Sequence, residues 1–142
     1  MKIVIDASVL IKWYVPEVHS TEAELLVSSQ FDIHAPELII PEFGNILWKK
    51  CKLGELSVDE TLNLADEVLK EEISFHAQPP LLRDSLREAN ANGQTIYDWT
   101  YLVLALSLEA KFVTADRRFF LAVRKTPHKS SVVWVENIPA LF

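Results

Sequence analysis

The sequence predicts an α/β domain built on a mainly parallel sheet. Runs with strand character alternate with runs of helical periodicity, and the connections between them are short. The first run, Lys2-Ile3-Val4-Ile5, is β-branched and apolar beyond its lysine, as a strand covered on both faces must be.

The elements follow in order. After Pro16, Ser20-Thr21-Glu22 opens a helical pattern over residues 20–27, with Ala23, Leu26 and Val27 on one side. Residues 31–35 form a short strand that runs into Pro36 and a longer helix ending near Gly54. Pro41 falls in the first turns of that helix, so its regular part starts there or bends there. Ser57-Val58-Asp59-Glu60 has the spacing of a capping box, and Leu62, Ala65 and Leu69 continue it. A strand over 72–77 precedes a helix that begins at Pro79-Pro80 and stops at Asn92-Gly93. Thr95 opens the most apolar helix, whose Trp99, Leu102, Val103 and Leu106 leave almost no polar face and place it centrally. A strand over 112–115, a helix over 116–125 and a strand over 132–135 complete the chain.

The 142 residues suit one domain spanning 1–142, with a composition of 49% hydrophobic and 24% charged residues that is ordinary for a globular chain. The apolar start is interrupted by Asp6 and Lys12, so neither a signal-peptide core nor a membrane span is expected. A single cysteine, Cys51, rules out an internal disulfide and a multi-cysteine zinc site, and implies a reducing, cytoplasmic setting. With three glycines and no glycine-rich loop, the phosphate-cradling nucleotide folds are excluded. The net charge of −6 opposes nucleic-acid binding, but its distribution is uneven. Residues 111–142 carry six Lys/Arg against two Asp/Glu, and Lys111, Arg117, Arg118, Arg124, Lys125 and Lys129 form either a phosphate-contacting surface or a solvated face. The four histidines lack metal-motif spacing and read as surface or interface residues.

Four carboxylates stand where solvent does not explain them. Asp6 ends the first buried strand, Asp116 follows the strand at 112–115, Glu42 begins an apolar helix, and Asp98 lies in the first turn of the most hydrophobic one. Each has a local alternative. Asp98 can close a capping box with Thr95, Asp116 and Asp6 can cap the helices that follow them, and Glu42 can answer a helix dipole. An α/β fold nevertheless converges strand ends and helix starts on one rim. Two like charges 4 Å apart repel by roughly 4 kcal/mol at an effective dielectric near 20. Clustered carboxylates therefore take up protons or a cation. Magnesium and manganese prefer such oxygen ligands and activate coordinated water, which points to metal-assisted phosphodiester hydrolysis.

Those residues resemble a known family. Val4-Ile5-Asp6-Ala7-Ser8-Val9-Leu10 is similar to the opening motif of PIN domains, above all the VapC-type toxins of toxin–antitoxin pairs. Pro36-Glu37-Leu38 through Glu42 and Asn45 resembles the second motif, Thr95-Ile96-Tyr97-Asp98 the third, and Phe112-Val113-Thr114-Ala115-Asp116 the fourth. The resemblance covers nearly the whole chain. It implies a three-layer α/β/α fold with a five-stranded sheet, and Mg²⁺ or Mn²⁺ bound by Asp6, Glu42, Asp98 and Asp116, which carry the catalysis. Ser8 and Thr114 would orient carboxylates or waters. Ribonuclease activity, a homodimer and a small antitoxin partner are further implications. Many relatives carry another acid shortly after the position of Asp116, where this chain has Arg117-Arg118. One well-held ion is therefore expected, with Arg117 and Arg118 facing RNA phosphate or an antitoxin segment. Two rivals differ in class. An aspartyl-phosphate phosphatase needs a second Asp two residues after Asp6, where Ser8 stands. A catalytically silent PIN-like module would bind RNA or protein without binding the metal.

Overall fold

The computed structural model describes residues 1–28 and 30–142. Five strands, β1 (Lys2–Ile5), β2 (Asp32–Pro36), β3 (Ile73–His76), β4 (Lys111–Thr114) and β5 (Val132–Trp134), form one sheet in the order β3-β2-β1-β4-β5. Every neighbouring pair is parallel. The helices are α1 (Ala7–Leu10), α2 (Ser20–Glu24), α3 (Ile39–Lys52), α4 (Val58–Val68), α5 (Leu82–Asn92), α6 (Ile96–Ser107) and α7 (Arg117–Val123).

The chain steps outward from β1 through β2 to β3, then crosses back to β4 and β5. Right-handed crossovers place α1 to α4 on one face of the sheet and α5 to α7 on the other. The result is the three-layer α/β/α architecture. The strand order reverses between β1 and β4, and at such a switch point a crevice opens beyond the carboxyl ends of the strands.

Burial explains why β1 is central. Ile3, Val4 and Ile5 are fully buried, and the strand is bonded on both sides, to β2 and to β4. The apolar helix α6 packs across β1, β2 and β4. Its Trp99 is fully buried, meets Phe119 edge-on at 5.3 Å between ring centroids, and donates its indole N–H to the Gly93 carbonyl at 2.7 Å. Phe112 on β4 lies between Tyr101, stacked at 5.7 Å, and Phe119 at 6.1 Å. These aromatics fix α6 and α7 relative to the carboxyl ends of β1 and β4.

Several boundaries differ from the sequence reading for local reasons. The helix expected over 20–27 stops at Glu24, because Leu25, Leu26 and Val27 each bond three residues back and tighten the turn. The helix expected from Pro36 starts at Ile39, since Pro36 still pairs in β2. Pro41 sits in its first turn, where an N–H has no intrahelical partner, so the helix neither starts at Pro41 nor needs to bend there. Pro79-Pro80 form a short 3-10 turn ahead of α5. Strand and helix ends elsewhere shift by one or two residues. Helix α1 was not legible in the pattern, because its apolar side chains continue the run of β1. Ser57 does close a reciprocal capping box with Glu60. Gly93, at φ 74°, ends α5 in a backbone conformation that disfavours a side chain. His34 departs from the surface reading. Its strand is interior to the sheet, and the side chain is buried with Nδ1 2.9 Å from Nε2 of His76. No helix of the described residues is long and apolar enough to cross a membrane.

Candidate active site

A cleft of about 490 Å³ opens at the switch point, and Asp6, Glu42, Asp98 and Asp116 all line it. Each arrives on a different segment, for a reason set by its local sequence. Asp6 follows the last residue of β1 and caps α1, its Oδ1 accepting from the Val9 N–H at 3.1 Å. Asp116 caps α7 by accepting from the Phe119 N–H at 3.3 Å. Asp98 lies in the first turn of α6, where the Thr95 hydroxyl accepts its N–H at 3.3 Å. Glu42 lies in the first turn of α3. The capping roles and the cleft thus coexist, because helix starts are what this fold brings to its rim.

Asp6 is the most constrained. The Ser8 hydroxyl donates to Oδ1 and the Thr114 hydroxyl to Oδ2, both at 2.5 Å. Ser8 Oγ accepts from the Ala115 N–H at 3.0 Å and Thr114 Oγ1 from the Asp116 N–H at 3.0 Å. Ser8 and Thr114 therefore tie the end of β1 to the turn after β4. Burial pushes the Asp6 carboxyl up to about 6, with the Asp116 charge adding to the rise and the three hydrogen bonds opposing it. Glu42 is also raised, first by burial and then by the charges of Asp98 and Asp116, against the hydrogen bond from Tyr101. Asp98 is raised by burial and by Asp116, with the Thr95 hydroxyl and Arg118 opposing. The carboxylates thus repel one another in a partly dehydrated cleft.

Tyr101 was missed by the sequence reading, which saw α6 as core throughout. It lines the cleft one turn after Asp98 and donates its hydroxyl to Glu42 Oε1. A tyrosine three residues after an acid in an otherwise apolar helix was the available signal. Arg117 and Arg118 are both exposed, and Arg118 reaches the rim of the cleft with Nη2 3.3 Å from Asp98 Oδ2. Lys49 lines the cleft from α3, two turns beyond Glu42.

The donor set bears on which cation suits the cleft. Among the described residues no three His, Cys, Asp or Glu side chains are placed so that they could hold a metal ion together. An open rim of four carboxylates matches an ion that keeps several waters, as Mg²⁺ does, and not one stripped of its hydration. The donor chemistry of Asp6, Glu42, Asp98 and Asp116 suits such an ion, but the four side chains would have to draw closer to share one.

A carboxylate-rimmed crevice at the switch point of a parallel five-stranded sheet defines the class of domain. Residues 3–125 match the family described as PIN domain, and the chain belongs to that family. Among curated proteins it is similar to Ribonuclease VapC3 of Pyrobaculum aerophilum, at 36% identity over 120 residues, covering 83% of this chain and 92% of that one. Exonuclease VapC9 of the same organism is 37% identical over 81 residues, 56% of this chain and 59% of that one. Among solved structures, PAE2754 from Pyrobaculum aerophilum superposes with a TM-score of 0.75 at 26% identity, covering 99% of this chain and 88% of the other. Mycobacterium tuberculosis VapC20, described as a sarcin-ricin loop cleaving toxin, shares the fold with a TM-score of 0.63 at 14% identity, covering 84% and 94%.

Proposed function

We propose that this chain is a divalent-metal-dependent endoribonuclease and the toxin of a toxin–antitoxin pair. The observation that carries the reading is the meeting of Asp6, Glu42, Asp98 and Asp116, distant in sequence, in one cleft at the β1–β4 switch point. The similarity to Ribonuclease VapC3 over most of both chains supports RNA as substrate. Mg²⁺ or Mn²⁺ is the cofactor that an oxygen-only, open donor set favours. Bound there, the ion supplies an activated water and charge stabilisation at the phosphoryl group.

The chain's own groups prepare that chemistry. Asp6 is locked by three hydrogen bonds, so its oxygens are preorganised. Arg118 and Lys49 place cationic groups on an otherwise acidic cleft and would receive the phosphates flanking the cut. Ser8, Ile46 and Lys49 also border a second hollow lined by Lys12 and Lys50, which lies next to the cleft. A strand of RNA can run through such a groove, which favours internal cleavage over trimming from an end. A homodimer, a small antitoxin protein over the cleft and a cytoplasmic setting complete the proposal.

A catalytically silent binding module is the competing reading, favoured by the Arg118–Asp98 contact and by the absence, among the described residues, of three acids placed to hold one ion. The deciding experiment is RNA cleavage with Mn²⁺ by the wild-type chain, Asp6→Asn and Asp98→Asn. Loss of cleavage in both variants is expected. Undiminished metal-dependent activity in both overturns the scheme, and calorimetry without Mg²⁺ or Mn²⁺ binding selects the silent module.

A further inference from the structure

We propose that Tyr101 is the positioning residue that fixes Glu42 for the divalent cation, through the hydroxyl bond between α6 and α3. The inference rests on the nuclease reading above and assigns a role to a residue outside the four acids.

Tyr101 is 3% exposed, and its ring stacks on Phe112 at 5.7 Å with 15° between planes. Phe112 is itself buried and held by Phe119, so the phenol cannot swing away. A buried tyrosine hydroxyl requires a hydrogen-bond partner. Here the partner is Glu42 Oε1, 59 residues away in sequence.

Glu42 depends on that contact. Asp6 receives three hydrogen bonds and Asp98 meets Arg118, but among the described residues the Glu42 side chain has no hydrogen bond or ion pair other than the one from Tyr101. A glutamate carries several freely rotating bonds, and its neighbours Asp98 and Asp116 repel it. Without the hydroxyl, the carboxylate would turn outward to solvent. With it, Oε1 is occupied by a neutral donor and Oε2 is left without a partner among the described residues, in a side chain that lines the cleft. Groups that orient a metal-binding side chain in this way are typically worth about 10–100-fold in metal affinity or activity.

The test is Tyr101→Phe in the full chain, which deletes only the hydroxyl and keeps the stack on Phe112. Mn²⁺ affinity is read by calorimetry, and kcat and KM by RNA cleavage. Affinity is expected to fall about 10-fold or more, with KM for RNA within about twofold and kcat recovered at high Mn²⁺. Glu42→Asp, which leaves the aromatic stack untouched but withdraws the carboxylate from the hydroxyl, is expected to lose affinity likewise. In a Glu42→Gln background the added Tyr101→Phe change is expected to be silent. Wild-type affinity in Tyr101→Phe, or an equal loss in the Glu42→Gln background, overturns the proposal while leaving the nuclease reading in place. A wild-type chain that binds no Mn²⁺ overturns both.

Discussion

The Thr114 hydroxyl donates to Asp6 Oδ2 at 2.5 Å and accepts the Asp116 N–H at 3.0 Å, so one fully buried side chain links the Asp6 carboxylate to the Asp116 backbone from two ends of the sequence. Residues 6 and 114 meet because β1 and β4 pair in register, Ile5 opposite Val113. Thr114→Val keeps the shape of the side chain and strands both partners. A buried polar group left without its partner costs about 1–3 kcal/mol. Denaturant unfolding of Thr114→Val should therefore show a loss of about 2 kcal/mol, and metal-dependent cleavage should fall about tenfold. A variant as stable and active as the wild type would mean that the hydroxyl is incidental to the site.

Asp6 makes the metal-free protein sensitive to pH in a direction that can be worked out. Its carboxyl holds a proton up to about 6 in the folded chain, against 3.8 for the ordinary group. Between those values the folded state binds more protons than the unfolded one, so stability falls as pH rises. The penalty is absent below the lower value and complete above the upper one, with a ceiling of about 3 kcal/mol. Glu42 and Asp98 add the same sign, whereas Glu17 and Asp32, whose carboxyls are lowered, act oppositely. The clean quantity is thus the difference between wild type and Asp6→Asn in the presence of a chelator. Asp6→Asn should gain stability on the wild type as pH rises through this window. A difference that does not vary with pH contradicts a protonated, buried Asp6.

The sequence made the sheet and its carboxylates legible for one reason and hid other features for another. Ile3-Val4-Ile5 is followed at once by Asp6 and Phe112-Val113-Thr114, after Ala115, by Asp116, a conjunction that burial alone does not require. The parallel register then follows from helices between strands. Tyr101 was overlooked because, beyond its spacing from Asp98, an apolar helix supplies no contrast between a core tyrosine and one whose hydroxyl reaches a cleft. The contact of Arg118 with Asp98 was equally hidden, since it spans two helices. His34 was read as exposed because a polar residue in a strand gives no sign of how far inside the sheet that strand lies.

Arg118 offers a test of rim electrostatics separate from folding. Its side chain is 66% exposed, and the 3.3 Å contact with Asp98 is an accessible ion pair. Such pairs contribute about 0–1 kcal/mol. Arg118→Ala should leave thermal unfolding nearly unchanged. Mn²⁺ affinity should rise as Asp98 is released, while KM for RNA should increase several-fold. Affinity that falls together with stability would show that Arg118 is a structural brace and not a rim cation.

Lys49 separates substrate contact from chemistry. Lys12 and Lys50 both pair with Glu17 at 3.2 and 2.9 Å, and Lys50 also meets Glu55 at 3.4 Å. Lys49 makes no ion pair among the described residues, yet it borders both the carboxylate cleft and the hollow beyond. It follows Glu42 by two helical turns, so both side chains lie along the same side of α3. An unpaired ammonium at the junction of two clefts suits a phosphate of an RNA strand passing through. Each phosphate contact of a single strand changes the slope of log affinity against log salt by about 0.7. Lys49→Ala in an otherwise cleavage-deficient Asp98→Asn chain should reduce that slope by about this amount, with weaker binding at low salt. In the active chain the same change should raise KM and leave kcat within about twofold, since uniform binding of substrate and transition state affects KM alone. A wild-type salt slope would place the RNA elsewhere on the surface, and a collapse of kcat at unchanged KM would move Lys49 into the reaction itself.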